Sequence, residues 1–522
     1  MRTLRKVAQG MLVAVVSIGL LGGNYVLAKD TGKNVKQPSA VFFPANNANN
    51  ICVDTLLKIT FDGEPTVGTG GMIKICKAVN DQVVDTINLA NPTMRIVSSS
   101  TYTVEQLTTR LNLIGTAELT RVVNYNPVIK RRNTVIIVPH NNKLEYNTTY
   151  YVTIEPGIFA GTINQKPFNG ITKKGVVTWK FSTRKAAPHG AVLTVSDNGL
   201  ADFCTIQGAL DHIPAANTTP YTINIKPGIY EEMLYIRGKQ NITLRGAGRE
   251  KTIIQYDNCD SFNNGTGGGT PLPLSPTTVV KRGGRSIVLV EAASGLVIDN
   301  LTIRSTHPQN SAASNQAETI YLNGSSTDRY IVKNSSFTSY QDTLQMKANV
   351  WFYNCYISGD VDFIWGSPTV ALFEKCELKS RYNEKSGGYL VQARVAKDTK
   401  GFVFLNCTLT REENTAGTFL ARSAQTSGAN ANYYDNVAFI NCKMDSHIEP
   451  AGWQLWTSPA GPNPATASAV NGWKEYKNMD LNGNLLNTVA RLTPGSYQLT
   501  DAEFEAGFRD RGTILGGWNP QP

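Results

Sequence analysis

The sequence is short of charge. Asp, Glu, Lys and Arg make up 17 % of its 522 residues, against 41 % that are apolar. That balance excludes a wholly disordered chain, which needs high charge and few apolar residues. Long apolar runs are missing as well. Beyond the N-terminal segment none reaches the roughly 18 residues of a membrane-crossing helix, so no membrane span is expected in the body of the chain. Histidine is scarce, with only His140, His189, His212, His307 and His447, and there is no Gly-x-Ser-x-Gly turn. Both facts disfavour a serine hydrolase of the nucleophile-elbow type. Eight cysteines are few for this length, and their spacing does not describe a dense disulfide framework. Cys52 and Cys76 both fall in the front part and could pair, whereas Cys204 and Cys259 have no evident role. The net charge is +10, yet no nucleic-acid-binding motif accompanies it.

What is present begins with an address. Arg2, Arg5 and Lys6 precede an apolar stretch over 11–21, and Val26-Leu27-Ala28 offers a small-residue cleavage site. Residues 1–28 therefore read as a secretory signal, and the mature chain would be secreted, either extracellular or periplasmic. Its removal leaves a net charge of +10 − 3 = +7, compatible with an acidic polymer as partner. Residues 39–185 then read as an all-β unit. Segments 53–61, 71–77, 135–138, 150–154 and 176–182 are β-branched or aromatic runs bounded by Asn, Gly and Pro. The last two strands resemble the ending of bacterial immunoglobulin-like domains, which implies a small immunoglobulin-like β-sandwich. It carries no candidate catalytic group and reads as an accessory module. Residues 184–190 look like a linker.

From 191 to 522 a repeat takes over. An apolar–x–Asn/Lys–x–x–apolar pattern recurs six times, with its fourth position at Leu301, Ser335, Cys355, Cys376, Cys407 and Cys442, at intervals of 20 to 35 residues. Short strands recurring at such a period indicate a solenoid, and a coil of this size fits a parallel β-helix. Cys355, Cys376, Cys407 and Cys442 would then form an inward column of small apolar side chains, free thiols that serve as packing.

The repeat also serves as a ruler. Asp342 lies seven residues after Ser335, and Asp362 seven after Cys355. The two carboxylates should occupy one angular position on consecutive coils, about 4.8 Å apart. Two carboxylates that close do not both ionise easily, so one pKa should rise. One would serve as nucleophile and the other, protonated, as general acid. An exposed Asp ladder at a turn, binding Ca²⁺, is the competing reading of the same spacing.

Several motifs together resemble the pectinesterases, which are right-handed parallel β-helix enzymes. They are Phe203-Cys204-Thr205-Ile206-Gln207, Lys226-Pro227-Gly228-Ile229-Tyr230-Glu231-Glu232, Gln316-Ala317, Tyr340-Gln341-Asp342-Thr343 and the stretch 359–366. The resemblance implies an ester hydrolase acting on methylated pectin, without cofactor or metal, and a monomer is expected. It assigns Asp362 as nucleophile, Asp342 as general acid and then base, Gln316 and Gln341 as oxyanion donors, and Arg422 as the partner of Asp362. The family's usual Leu-Gly-Arg-Pro-Trp reads Leu420-Ala421-Arg422-Ser423-Ala424 here. Ala424 thus stands where a sugar-stacking Trp is usual, so Trp365 or Trp453 is expected to line the substrate site, although Trp365 equally reads as a packing substitution. Alternatives are an esterase or thioesterase of the same fold with a non-pectin substrate, or a non-catalytic pectin-binding protein. A Ca²⁺-dependent lyase fits less well, because Asp360 with Asp362 alone is thin support for a Ca²⁺-ligand cluster, and a polygalacturonase fits less well because its usual motifs are absent.

Overall fold

The computed structural model describes residues 41–90, 111–115, 121–173, 178–267, 284–309, 316–383, 388–415, 417–424, 432–454, 463–491 and 495–522. The expected signal, 1–28, lies outside the described residues.

Among the described residues the front of the chain holds three two-stranded sheets, one of them pairing Leu111–Ile114 with Arg121–Asn124, and two larger sheets. Of the larger two, one orders Phe42–Phe43, Leu57–Thr60, Thr134–Ile137 and Val128–Arg131; the other orders Ala48–Ile51, Lys180–Thr183, Thr149–Ile154, Met72–Lys77 and Val83–Asn88. All pairings are antiparallel except that of Ala48–Ile51 with Lys180–Thr183. Alternation along Thr149–Ile154 sends Tyr150, Val152 and Ile154 inward, where they pack with Leu57, Ile59, Val135, Trp179 and Phe181. This is a β-sandwich with inner faces in register with the period-two pattern.

The rest of the chain is a parallel β-helix built from a 17-stranded and a nine-stranded sheet. The larger sheet has two faces. Two long strands, Leu344–Tyr353 and Ile364–Glu374, run around the corner and belong to both. The repeat read from sequence marks the turn into the nine-stranded sheet. Its third position is held in the left-handed region at Asn300, Asn334, Asn354, Lys375, Asn406 and Asn441, with φ between 51° and 60°. Asn tolerates that conformation better than most residues, which is why the pattern favours it. The next position points inward. Cys355, Cys376, Cys407 and Cys442 are buried free thiols, each donating to a carbonyl of the preceding coil, at Val332, Phe352, Phe373 and Phe404. Beside them Phe352, Phe373, Phe404 and Phe439 stack with centroids 4.5–4.8 Å apart. The strand spacing itself sets that distance.

Three short helices were not foreseen: Ile206–His212, Asp501–Gly507 and Arg511–Ile514. The last two cover one face, where Phe508, Ile514 and Leu515 pack on Trp351, Leu372, Val403 and Ala438. That cover explains the strands Gly401–Leu405 and Val437–Ile440, which are buried at every position instead of alternating.

The sandwich is seated on the β-helix. The contact is made by the two-stranded sheet Leu111–Ile114 with Arg121–Asn124 and the residue after it: Ile114, Val123 and Tyr125 belong to the same apolar core as the coils, and Arg121 lies over the Tyr235 ring and faces Glu291. The linker is pinned too: Arg184 donates to the carbonyls of Ala201 and Asp202. The suggested Cys52–Cys76 pairing is not found. Both are free; Cys76 shares a hydrogen bond with Tyr151 on the paired strand, while Cys52 lies beside Cys204.

Candidate active site

The site grows out of one turn repeated on successive coils. Leu344 pairs with Ile364 and with Ile320, so Asp342 and Asp362, each two residues earlier, come to the same place on adjacent coils. The Asp342 N–H donates to the Val361 carbonyl at 3.1 Å, and Leu344 donates to Phe363 at 2.9 Å. Both Asp residues sit at positive φ, 64° and 47°. The turn tolerates no side chain at Gly359, where a Cβ would lie 2.2 Å from that of Phe363 and 2.6 Å from the Tyr340 carbonyl. This is the physical basis of the Gly359-Asp360-Val361-Asp362 motif.

Asp362 is gripped by Arg422. The guanidinium Nε donates to Oδ1 at 2.8 Å and Nη2 to Oδ2, a two-point contact that fixes the carboxylate plane. Gln392 donates to the same Oδ2 at 3.2 Å. Asp342 accepts from Arg285 Nη2 at 2.9 Å and from the Gln316 amide at 3.1 Å. Burial raises both carboxyls above the ordinary Asp range. For Asp362 the Arg422 charge opposes that rise. Asp342 is raised further, first by burial, then by Glu318, with Arg285 opposing and Asp362 adding its own charge. The expected mutual repulsion is thus present, but it is a smaller cause than desolvation and Glu318.

Asp360, which with Asp362 would be the start of a lyase's Ca²⁺ cluster, is satisfied otherwise. Gln309 and Asn383 donate to its Oδ2 at 2.7 and 2.8 Å, and its Oδ1 accepts from the Val361 N–H. Its partners are neutral amides, which brace the turn.

Of the other foreseen residues, Gln316 and Gln341 pair as a bridge beside Asp342. Gln316 spends its carbonyl on Arg285 at 2.8 Å, which turns its amide nitrogen toward Asp342. The two tryptophans part company. Trp365 falls on the outward ladder Tyr321–Gln345–Trp365–Gln392, between the guanidinium groups of Arg285 and Arg394, 5.9 and 5.0 Å from its centroid. Its indole N–H has no partner among the described residues. Trp453 falls on the inward ladder with Val391 and Ala421. It is 2 % exposed and stacks on Trp473 at 5.2 Å. Trp453 is therefore core, and its assignment to the substrate site is corrected: one step in strand register separates the two faces.

Sequence reasoning missed Arg285, Glu318, Gln392 and Arg394. Arg285 joins Glu318 at 2.8 Å, Asp342 at 2.9 Å and Asp260 at 3.3 Å. Glu318 lies two residues before Ile320, the position that Asp342 and Asp362 hold before Leu344 and Ile364, but seven residues after Leu301 the ruler falls on Pro308, so only the strand register reveals it. Arg285 belongs to no repeat position.

A buried pair of carboxylates, one held by an arginine and the other disposed to keep its proton, can attack an acyl carbon and protonate a leaving alkoxide. The family model described as pectinesterase matches residues 192–506. Pectinesterase 31 of Arabidopsis thaliana is 29 % identical over 271 residues, 51 % of this chain and 77 % of that protein. Pectinesterase 2 of Citrus sinensis is 29 % identical over 342 residues, 60 % of each chain. A solved pectin methylesterase from carrot superposes with a TM-score of 0.51 at 21 % identity, over 64 % of this chain and 95 % of that one, a likeness of fold. The fold and these relatives define a parallel β-helix enzyme that hydrolyses carboxylic esters. The chain belongs to the pectinesterase family.

Proposed function

We propose that the protein hydrolyses the methyl esters of galacturonosyl units in pectin, releasing methanol and pectate. The observation that carries this reading is the buried Asp342–Asp362 pair with Arg422 clamped on Asp362. Asp362, held as carboxylate, attacks the ester carbonyl carbon, with Gln316 and Gln341 donating to the oxyanion. Asp342 gives its proton to the departing methoxide. As carboxylate it then takes a proton from water, which attacks the acyl-enzyme and frees Asp362. Trp365 lines the sugar site. Residues 1–28 act as the signal of a secreted enzyme, 39–185 as its immunoglobulin-like domain and 191–522 as the catalytic β-helix, and the enzyme works as a monomer in the extracellular space or periplasm.

A second reading keeps the chemistry and changes the ester. Ala424 stands where the family has Trp, and the buried Trp453 does not replace it, so a non-pectin ester or thioester fits the same carboxylate pair. Methanol release from highly methylated pectin separates the readings. Asp362→Asn and Asp342→Asn are each expected to lose roughly 10⁴-fold or more in rate, and Gln316→Ala and Gln341→Ala about 10²-fold. Full turnover by Asp362→Asn would end the mechanism. A parent inactive on pectin but active on another ester through Asp362 would change only the substrate.

A further inference from the structure

Cys52 and Cys204 come from different parts of the chain and meet where the sandwich is seated on the β-helix. Cys52 follows the strand Ala48–Ile51, and Cys204 lies in the turn that opens the helix Ile206–His212. Each is 1 % exposed. Their sulfurs and a carboxylate oxygen of Asp54 all lie within 4.8 Å of one another, and the two thiols share a hydrogen bond. Nothing in the ester chemistry uses them.

Three ligating groups at that spacing raise the question of a metal ion. The Asp54 carboxylate argues against one. It already accepts from the Cys204 N–H at 3.0 Å, the Thr205 N–H at 2.7 Å and the Thr205 hydroxyl at 2.8 Å. Its lone pairs hold the turn before the helix, and only two sulfurs remain. Two sulfurs are too few for a structural zinc site, which takes about four ligands, but they suffice for a covalent bond.

We propose that Cys52 and Cys204 form a disulfide that staples the front sandwich to the β-helix. Two S–H bonds break and one S–S bond forms. The two electrons and two protons pass to an oxidised dithiol–disulfide exchange partner, which is reduced to its dithiol. The bond needs an oxidising compartment and so rests on the reading of residues 1–28 as a secretory signal. It closes a loop over 52–204 that contains every sandwich strand except Phe42–Phe43 and Ala48–Ile51, and a loop that long restricts the unfolded chain strongly. The hydrogen bond with the Cys52 thiol, and then burial, hold the Cys204 sulfur well above the usual thiol range. Thiolate is therefore scarce once the seam has closed, and the bond forms during folding.

The other cysteines are placed differently. Cys355, Cys376, Cys407 and Cys442 lie on successive coils at the strand spacing of about 4.8 Å, and their neighbouring thiols also share hydrogen bonds. A disulfide draws its β-carbons to roughly 3.8 Å, which a regular ladder resists. Cys76 bonds to Tyr151 and Cys259 to Ser261.

The test does not depend on export. The full chain is refolded from denaturant over a glutathione redox buffer, alkylated under denaturing conditions without reductant, digested and mapped by mass spectrometry. A cross-linked peptide joining Cys52 to Cys204, with the other six cysteines alkylated, is the expected result. Alkylated Cys52 and Cys204, a bridge from either to another cysteine, or stoichiometric bound metal would overturn the proposal. Export is read separately, from the N-terminus of the secreted chain. Melting gives a second readout. Reductant should lower the Tm of the parent on the order of 5 °C, and Cys52→Ser and Cys204→Ser should each melt low with no response to reductant. A parent Tm unmoved by reductant counts against the staple even if a bridge is found.

Discussion

Two acids with different neighbours divide the work at the residue scale. In the proposed mechanism turnover needs Asp362 ionised and Asp342 protonated, so the rising limb of the pH profile is expected to follow Asp362 and the falling limb Asp342. Both carboxyls are raised by burial, which moves the active range above that of ordinary carboxylates. Arg422 lowers Asp362. Arg422→Ala therefore moves the rising limb up and cuts the maximal rate because the carboxylate loses its clamp. Glu318 raises Asp342. Glu318→Gln removes that charge and leaves the Arg285 cation more fully to Asp342, and both effects lower the Asp342 pKa. The falling limb then moves down while the rising limb stays. Methanol release against pH for the parent and both variants checks the assignment; Glu318→Gln shifting the rising limb alone would reverse the roles of the two acids.

Along a single coil, the same turn serves fold and site. The left-handed Asn positions let the chain leave one sheet and enter the next, and the acids use that conformation at a different corner. Asn406 offers a clean measure of its cost, since it is exposed with φ at 54°. Asn406→Gly should leave stability nearly unchanged, because Gly accepts positive φ freely. Asn406→Val should cost about 1–2 kcal/mol, the penalty of a left-handed residue with a branched side chain. Denaturant unfolding of the three proteins reads the difference, and equal stabilities would mean that the turn relaxes out of this conformation.

On the scale of the whole molecule, the front sandwich is more than a spacer. The two-stranded sheet that interrupts it, Leu111–Ile114 with Arg121–Asn124, shares core residues with the coils, and Asp54 binds the turn that starts the first helix. A chain starting at His189 would expose Tyr235 and Tyr256, which meet Arg121 and Asn126 across the seam. It should melt at least several degrees lower. No proposed catalytic residue precedes Gln316, so turnover per folded molecule should survive. An unchanged Tm would show that the seam contributes nothing.

How much of this was legible depended on periodicity. The β-helix, the cysteine column and the placement of Asp342 opposite Asp362 could be read from the repeat, because a parallel coil returns each position to the same place and writes its contacts into the sequence at one spacing. The sandwich was legible through its alternating strands. Contacts between elements remote in sequence obey no such period. Tertiary structure alone decided that Arg285 meets Asp342, that Trp453 turns inward while Trp365 turns out, and that Cys52 faces Cys204 instead of Cys76. In each case the deciding quantity is which side of a strand a residue takes, or which distant segment packs against it, and a linear pattern carries neither.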